Sequence, residues 1–343
     1  MSCSGEYTSH SASEDLITIT PQVMSKLKKA KYGVYNHSAV ELCHWTKKSF
    51  ATGESCYKHK FYGISTHRCM EMTPTAMNCE NRCIYCWRPT EFYDTLEMPL
   101  DLVDEPDSIV HHLMAERKKL IDGYFGNKNN DMRKLRESLF PAHYAISLSG
   151  EPTMYPKLPA LIKYLKTLKE TKSIFLVTNG QEPEMLRRLE REDALPTQVY
   201  LSTNASDKKM FHKINRPLRE DAWERWNESL AWLSHVNTRT VLRMTLIRDY
   251  NDSKVADEFA KLMSSGNPHF IELKSYMHIG MSTQRLEADR MLEMSEVREF
   301  SARLCEKLPN FEVMDESEIS RIVVLQNKSR RTDRWIKEYL EAV

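Results

Sequence analysis

Apolar and polar positions are most regularly ordered from about residue 143 onward. Five apolar runs there end abruptly in polar residues: 143–150 ("HYAISLSG"), 173–180 ("SIFLVTNG"), 198–205 ("QVYLSTNA"), 240–247 ("TVLRMTLI") and 269–277 ("HFIELKSYM"). Their β-branched and aromatic content predicts strands. Helical spacing of apolar residues predicts helices over 157–169, 183–191, 221–234 and 254–264. Strand, polar loop and helix, repeated at intervals of about 25–40 residues, is the pattern of βα units. The predicted fold is α/β, an incomplete parallel (β/α) barrel of about six such units. Chemistry in barrels of this kind gathers where strands end at their carboxyl side. Those ends carry Ser149-Gly150-Glu151, Thr178-Asn179-Gly180, Ser202-Thr203-Asn204, Arg248-Asp249 and Lys274-Ser275.

The first part of the chain reads differently. Residues 1–15 are polar and read as a disordered tail. Thr20-Pro21 starts a helix whose apolar face is Val23, Met24, Leu27 and Ala30. Residues 35–74 have weak helix and strand signals and are rich in Cys, His, Lys and aromatic residues, so a bound metal would help to order them. No run approaches the roughly 18 apolar residues of a membrane span, and the start lacks the apolar centre of a secretory signal. A cytoplasmic, monomeric protein with reduced thiols is expected.

The chain has 343 residues, 41% of them apolar, enough for a sizeable core. Lys+Arg 49 against Asp+Glu 48 gives no overall attraction to nucleic acid. A nucleic-acid partner would need local charge. Three stretches offer it. Residues 21–68 hold nine Lys/Arg and two acidic residues, 117–136 hold seven and two, and "KSRRTDRWIK" lies near the end.

Eight cysteines in a reducing compartment point to metal binding rather than disulfides. Cys79, Cys83 and Cys86 form C-x3-C-x2-C. Three thiolates on a 4Fe–4S cluster would leave one iron open, since such clusters take four ligands. Zinc is the alternative, with Cys83 and Cys86 as half a site and His67 completing it. Cys43, Cys56 and Cys69 are separated by twelve residues each time, among polar and charged neighbours that argue against an apolar core. Cys3 and Cys305 fit no motif.

C-x3-C-x2-C with Tyr85 before its last cysteine resembles the signature of radical S-adenosylmethionine enzymes. Gly150-Glu151-Pro152 matches that family's glycine–glutamate loop, which holds the methionine amino group. C-x12-C-x12-C followed at once by C-x3-C-x2-C closely resembles the tRNA 4-demethylwyosine synthases. "SLSGEPT" (147–153), "KSYMHIG" (274–280), Ser282 and Arg285-Leu286 resemble that family's barrel loop and its wyosine-forming segment. The resemblance implies two 4Fe–4S clusters, on Cys79, Cys83 and Cys86 and on Cys43, Cys56 and Cys69. It implies S-adenosyl-L-methionine at the first, with Glu151, Asn179, Ser202 and Asn204 as its contacts.

The implied reaction is of the carbon–carbon lyase class. It joins two carbons of pyruvate to N1-methylguanosine, next to the anticodon of phenylalanine tRNA, through a 5′-deoxyadenosyl radical. Lys58, two residues after Cys56, stands where the family has a lysine proposed to form a Schiff base. Such an amine attacks a keto acid if its pKa is lowered. The rival role binds pyruvate to the open iron of the upstream cluster, with Lys58 neutralising its carboxylate. Only 42 residues precede Cys43, too few for the flavin domain of eukaryotic members, so the electron donor is expected to be external, of flavodoxin or ferredoxin type.

The implied organisation is a tail and basic helix (1–35), a radical core with both cysteine triads (36–265), a wyosine-base-formation segment (266–327) and a basic C-terminal helix (328–343). Two alternatives stay open: another radical S-adenosylmethionine enzyme, an activase or an RNA-modifying one, or a zinc-stabilised RNA-binding protein.

Overall fold

The computed structural model describes residues 16–93 and 95–336. One ten-stranded sheet organises them, in the order β1-β2-β3-β4-β5-β6-β7-β8-β10-β9. The strands are β1 (Tyr32–Tyr35), β2 (Ser38–Glu41), β3 (Cys69–Thr73), β4 (His143–Ile146), β5 (Ser173–Thr178), β6 (Gln198–Ser202), β7 (Arg239–Leu246), β8 (Phe270–Ser275), β9 (Phe311–Ser317) and β10 (Ile322–Asn327). β3 to β8 pair in parallel, each with the next. β1 and β2 extend one edge antiparallel, and β10 and β9 the other. The barrel is therefore incomplete, as the alternation of strand and helix predicts.

The parallel strands are apolar because both faces are covered. All of β4 is buried, and β5 is buried except for a half-buried Val177. The outer face, including Ile146, Ile174 and Leu176, meets Leu158, Leu161, Ile162 and Leu165 of the Leu158–Thr167 helix in one core. Burying a side chain such as Leu176 stabilises by about 2 kcal/mol, and Leu176→Ala would cost about 2–5 kcal/mol. The Pro183–Arg191 helix has proline at its start, Glu184 in its first turn and Arg188 and Arg191 in its last, all favourable to the helix dipole. The inner face contributes Phe175, Tyr200, Val241 and Phe270 to a separate core that includes Tyr57, Phe61 and Tyr62. A short helix, Tyr57–Tyr62, thus fills the inside of the barrel.

Two expectations are corrected. Residues 35–74 are not irregular: they form β2, the helices His44–Ala51 and Tyr57–Tyr62, and β3. β3 reads "CMEMT", with no β-branched residue before Thr73, so its pattern gave no strand signal although it is the first of the six parallel strands. The expected helix over 328–343 is not seen in its described part, 328–336, which is irregular. Its remainder, the tail 1–15 and Cys3 lie outside the described residues. Cys305 lies on the Met294–Lys307 helix and packs against the main core. Among the described residues no helix is long and apolar enough to cross a membrane.

Candidate active site

The cysteine loop follows β3 and is strapped from two sides. The Ile84 and Arg82 amides donate to Ile214 and Arg216 carbonyls at 2.9 and 3.2 Å, and the Leu218 amide donates to the Glu80 carbonyl at 2.8 Å. From the wyosine-like segment, the Arg285 guanidinium donates to the carbonyls of Ile84, Cys86 and Arg88. The Glu151 amide donates to the Asn78 carbonyl at 2.7 Å, which locks the glycine–glutamate loop onto the cysteine loop. Gly150 makes that approach possible. Its φ is +71°, and a Cβ there would stand 1.6 Å from the Thr75 carbonyl oxygen.

Glu151 is buried, and its carboxylate is held at both ends. Oε1 accepts from the Thr153 amide at 3.1 Å, the Thr153 hydroxyl at 2.6 Å and the Thr178 hydroxyl at 2.7 Å. Oε2 accepts from the Asn179 amide at 2.6 Å. Burial pushes its pKa up, while these donors pull it down. The Asn179 side-chain nitrogen lies 3.6 Å from Cys79 Sγ and 3.1 Å from Glu80 Oε2. Asn204 has both side-chain ends engaged: its nitrogen donates to the Tyr85 hydroxyl at 2.7 Å and its oxygen accepts from the Thr245 amide at 2.8 Å. Ser202 is half-buried, with its carbonyl accepting from the Trp226 indole at 3.0 Å. Glu151 and Asn179 therefore meet the cysteine loop directly, and Asn204 meets it through Tyr85.

The equal spacing upstream has a structural origin. Cys43 caps the His44–Ala51 helix, Cys56 precedes the Tyr57–Tyr62 helix, and Cys69 opens β3. Each gap is one short helical excursion that returns the chain to the same place. The Cys43 thiol feels the charges of Cys69 and Cys56, and Cys69 feels Lys58, Glu71 and Cys56. Burial pushes all six triad thiols above their ordinary value, Cys69 and Cys83 to about 12. Thiols so placed need a metal to ionise them. Among the described residues no three His, Cys, Asp or Glu side chains converge as a single-ion site. His67 pairs instead with Glu137 at 2.6 Å.

Lys58 is buried, with its ammonium nitrogen 4.6 Å from the Phe175 ring centre and 4.8 Å from that of Tyr200. Such cation–π placement stabilises a charge away from water. Around it stands a polar network of which the sequence reading named only Lys274. Glu272 accepts the hydroxyls of Tyr57 at 3.2 Å and Tyr62 at 2.8 Å. Arg243 loses by burial but is held charged by Tyr57, Glu272 and Tyr200 around it. Lys274 donates to the Ser320 carbonyl at 2.7 Å, and burial with Arg243 nearby lowers its pKa to about 8. Charged residues inside otherwise apolar strands were the available signal for Arg243 and Glu272.

The basic stretches are mostly structural. Arg117 is buried and donates to the carbonyls of Ser138, His67 and Cys69. Arg330 donates to those of Leu233, Asn267 and Val236, and Arg334 to those of Phe61 and Lys60. In the C-terminal stretch Arg330 and Arg334 are thus engaged, while Lys328 and Arg331 are exposed. Lys28, Lys29, Lys31, Lys118, Lys128 and Arg136 remain exposed.

Sequence comparison matches residues 73–262 to the radical SAM superfamily and 265–327 to the wyosine base formation family. The S-adenosyl-L-methionine-dependent tRNA 4-demethylwyosine synthase of Pyrococcus abyssi is 41% identical over 305 residues, covering 89% of this chain and 88% of that protein. Its counterpart in Methanocaldococcus jannaschii is 38% identical over 317 residues, covering 91% and 98%. A solved structure of TYW1 with a lysine–pyruvate adduct bound superposes with a TM-score of 0.82 at 36% identity, covering 93% of this chain and 99% of that one. On these similarities, the chain belongs to the S-adenosyl-L-methionine-dependent tRNA 4-demethylwyosine synthase family.

Proposed function

We propose that this chain condenses N1-methylguanosine, next to the anticodon of phenylalanine tRNA, with pyruvate to form tricyclic 4-demethylwyosine. It does so in the cytoplasm, with electrons from an external flavodoxin or ferredoxin type of donor. The observation that carries this reading is Lys58: a lysine amine enclosed by two aromatic faces beside the upstream thiols. A relative's structure holds a lysine–pyruvate adduct.

Family membership brings S-adenosyl-L-methionine and one 4Fe–4S cluster, which fit Cys79, Cys83, Cys86 and Glu151. A second cluster on Cys43, Cys56 and Cys69 is part of the proposal, and it fits three buried thiols that burial alone would keep protonated. When bound, these groups supply the electron and the radical that removes hydrogen from the N1-methyl group. The chain's own residues position the reactants. Gly150 lets Glu151 reach the cysteine loop, and Asn179 joins Glu151 to Cys79. The Lys58 amine attacks the pyruvate keto carbon, and loss of one water gives an imine. Phe175 and Tyr200 keep that centre away from bulk water.

Borohydride with labelled pyruvate tests the reading, because reduction makes the link permanent. Label on a peptide containing Lys58 is expected. Label absent there, together with a pyruvate-dependent change in the upstream cluster's spectrum, defeats the imine and favours pyruvate on iron.

A further inference from the structure

Two carboxylates are buried side by side at the barrel mouth, and only Glu151 has a role so far. Glu80, directly after Cys79, is fully buried. Its Oε2 accepts from the Asn179 side chain at 3.1 Å, and its Oε1 has no hydrogen-bond partner. Asn179 thus holds both carboxylates at once, Glu151 through its amide and Glu80 through its side chain. The next charge felt by Glu80 is Glu182, of the same sign. A buried carboxylate oxygen left without a donor is costly, and a second carboxylate beside it adds repulsion.

We propose that Glu80 is a second acceptor for the amino group of S-adenosyl-L-methionine, which is received between Glu80 Oε1 and Glu151 Oε2. The count of free acceptor positions supports this. Glu151 Oε1 already takes three donors, whereas Oε2 takes one and can take another. Glu80 Oε2 likewise takes one, and Glu80 Oε1 alone takes none, so Glu80 Oε1 is the emptiest position, with Glu151 Oε2 facing it across Asn179. An amino group brings two N–H donors even when its lone pair is engaged, one for each. Glu80 would thus be a binding residue supplied by the cysteine loop itself, facing the one supplied by the glycine–glutamate loop.

The inference rests on the reading that the cofactor binds the Cys79, Cys83 and Cys86 cluster. Its test compares S-adenosyl-L-methionine with the analogue in which hydrogen replaces the amino group. Affinity is read from the change in the cluster's spectrum, which reports only chains that carry a cluster. Glu80→Gln keeps the shape and replaces one acceptor oxygen with an N–H donor. It is expected to weaken S-adenosyl-L-methionine binding by about tenfold or more, and binding of the analogue by much less. Unchanged affinity, or equal losses for both ligands, overturns the proposal. If Glu80→Gln fails to take up iron, Glu80→Asp is titrated instead. It draws the oxygen back, and preference for the amino-bearing ligand should fall in the same way; an unaltered preference overturns the proposal. No spectral response to S-adenosyl-L-methionine in the unaltered protein defeats the cofactor reading itself, and this inference with it.

Discussion

The Thr75 carbonyl oxygen occupies the place where any side chain on Gly150 would begin. An added Cβ would lie 1.6 Å from it and 2.6 Å from the Asn78 carbonyl oxygen, at a φ of +71°. Both obstacles are backbone, so neither can rotate away. Gly150→Ala should therefore push the Glu151 loop off the cysteine loop. The positive φ alone costs about 1–3 kcal/mol. A lower melting temperature and a loss of S-adenosyl-L-methionine binding are expected, by calorimetry and by spectral titration. Unchanged binding would remove Gly150 from the site.

Lys58→Ala should abolish ring formation yet leave 5′-deoxyadenosine production measurable, because Lys58 lies with the upstream triad and not with Glu151. Product is followed by mass spectrometry of digested tRNA, and deoxyadenosine by chromatography. Tricyclic base made by the variant would sink the assignment.

Iron content separates the two triads. Replacing Cys79, Cys83 and Cys86 with alanine, or Cys43, Cys56 and Cys69, should each remove about half of roughly eight irons per chain. Only the first replacement should stop deoxyadenosine formation. A full iron complement after the upstream replacement would show a single cluster.

Arg334 completes the helix that carries Lys58. Its guanidinium donates to the Phe61 and Lys60 carbonyls at 3.2 and 2.8 Å and pairs with Asp315 at 2.8 Å. A Cβ added at Gly63 would stand 3.1 Å from the Trp335 ring. Arg334→Ala should cost about 1–3 kcal/mol and speed hydrogen exchange in residues 57–62. Ring formation should fall more than deoxyadenosine production.

His269 gives a pH dependence. Its Nδ1 accepts the Thr240 amide at 3.2 Å and lies 2.9 Å from the Thr240 hydroxyl, and burial, with Arg330 and Arg239 nearby, lowers its pKa to about 4. The unfolded chain would bind the proton near pH 6.5. Between these values the unfolded state holds more protons, so stability falls as pH drops from about 6.5 to about 4. His269→Asn should flatten that part of a denaturation series. An unchanged slope would place the titration elsewhere.

The sequence made the barrel legible where strand and helix periods alternate. The Pro183–Arg191 helix begins and ends where its pattern does, since proline and the apolar spacing are local signals. β3 escaped because its burial comes from neighbours, not from its own composition. The thiol spacing was readable because Cys43, Cys56 and Cys69 each stand at the start of an element. The role of Arg334 was hidden, because a half-buried guanidinium serving carbonyls has the same letters as one facing solvent. Glu80 was hidden for the same reason: nothing local distinguishes a buried glutamate from an exposed one.

The strap from Arg334 to Phe61 also sets an order of events during synthesis. These two residues are 273 positions apart in the chain. At about 5–20 residues per second, the Lys58 helix is made roughly 15–55 seconds before Arg334 is. The Lys58 helix thus receives its Arg334 strap only after the barrel strands between them have been made.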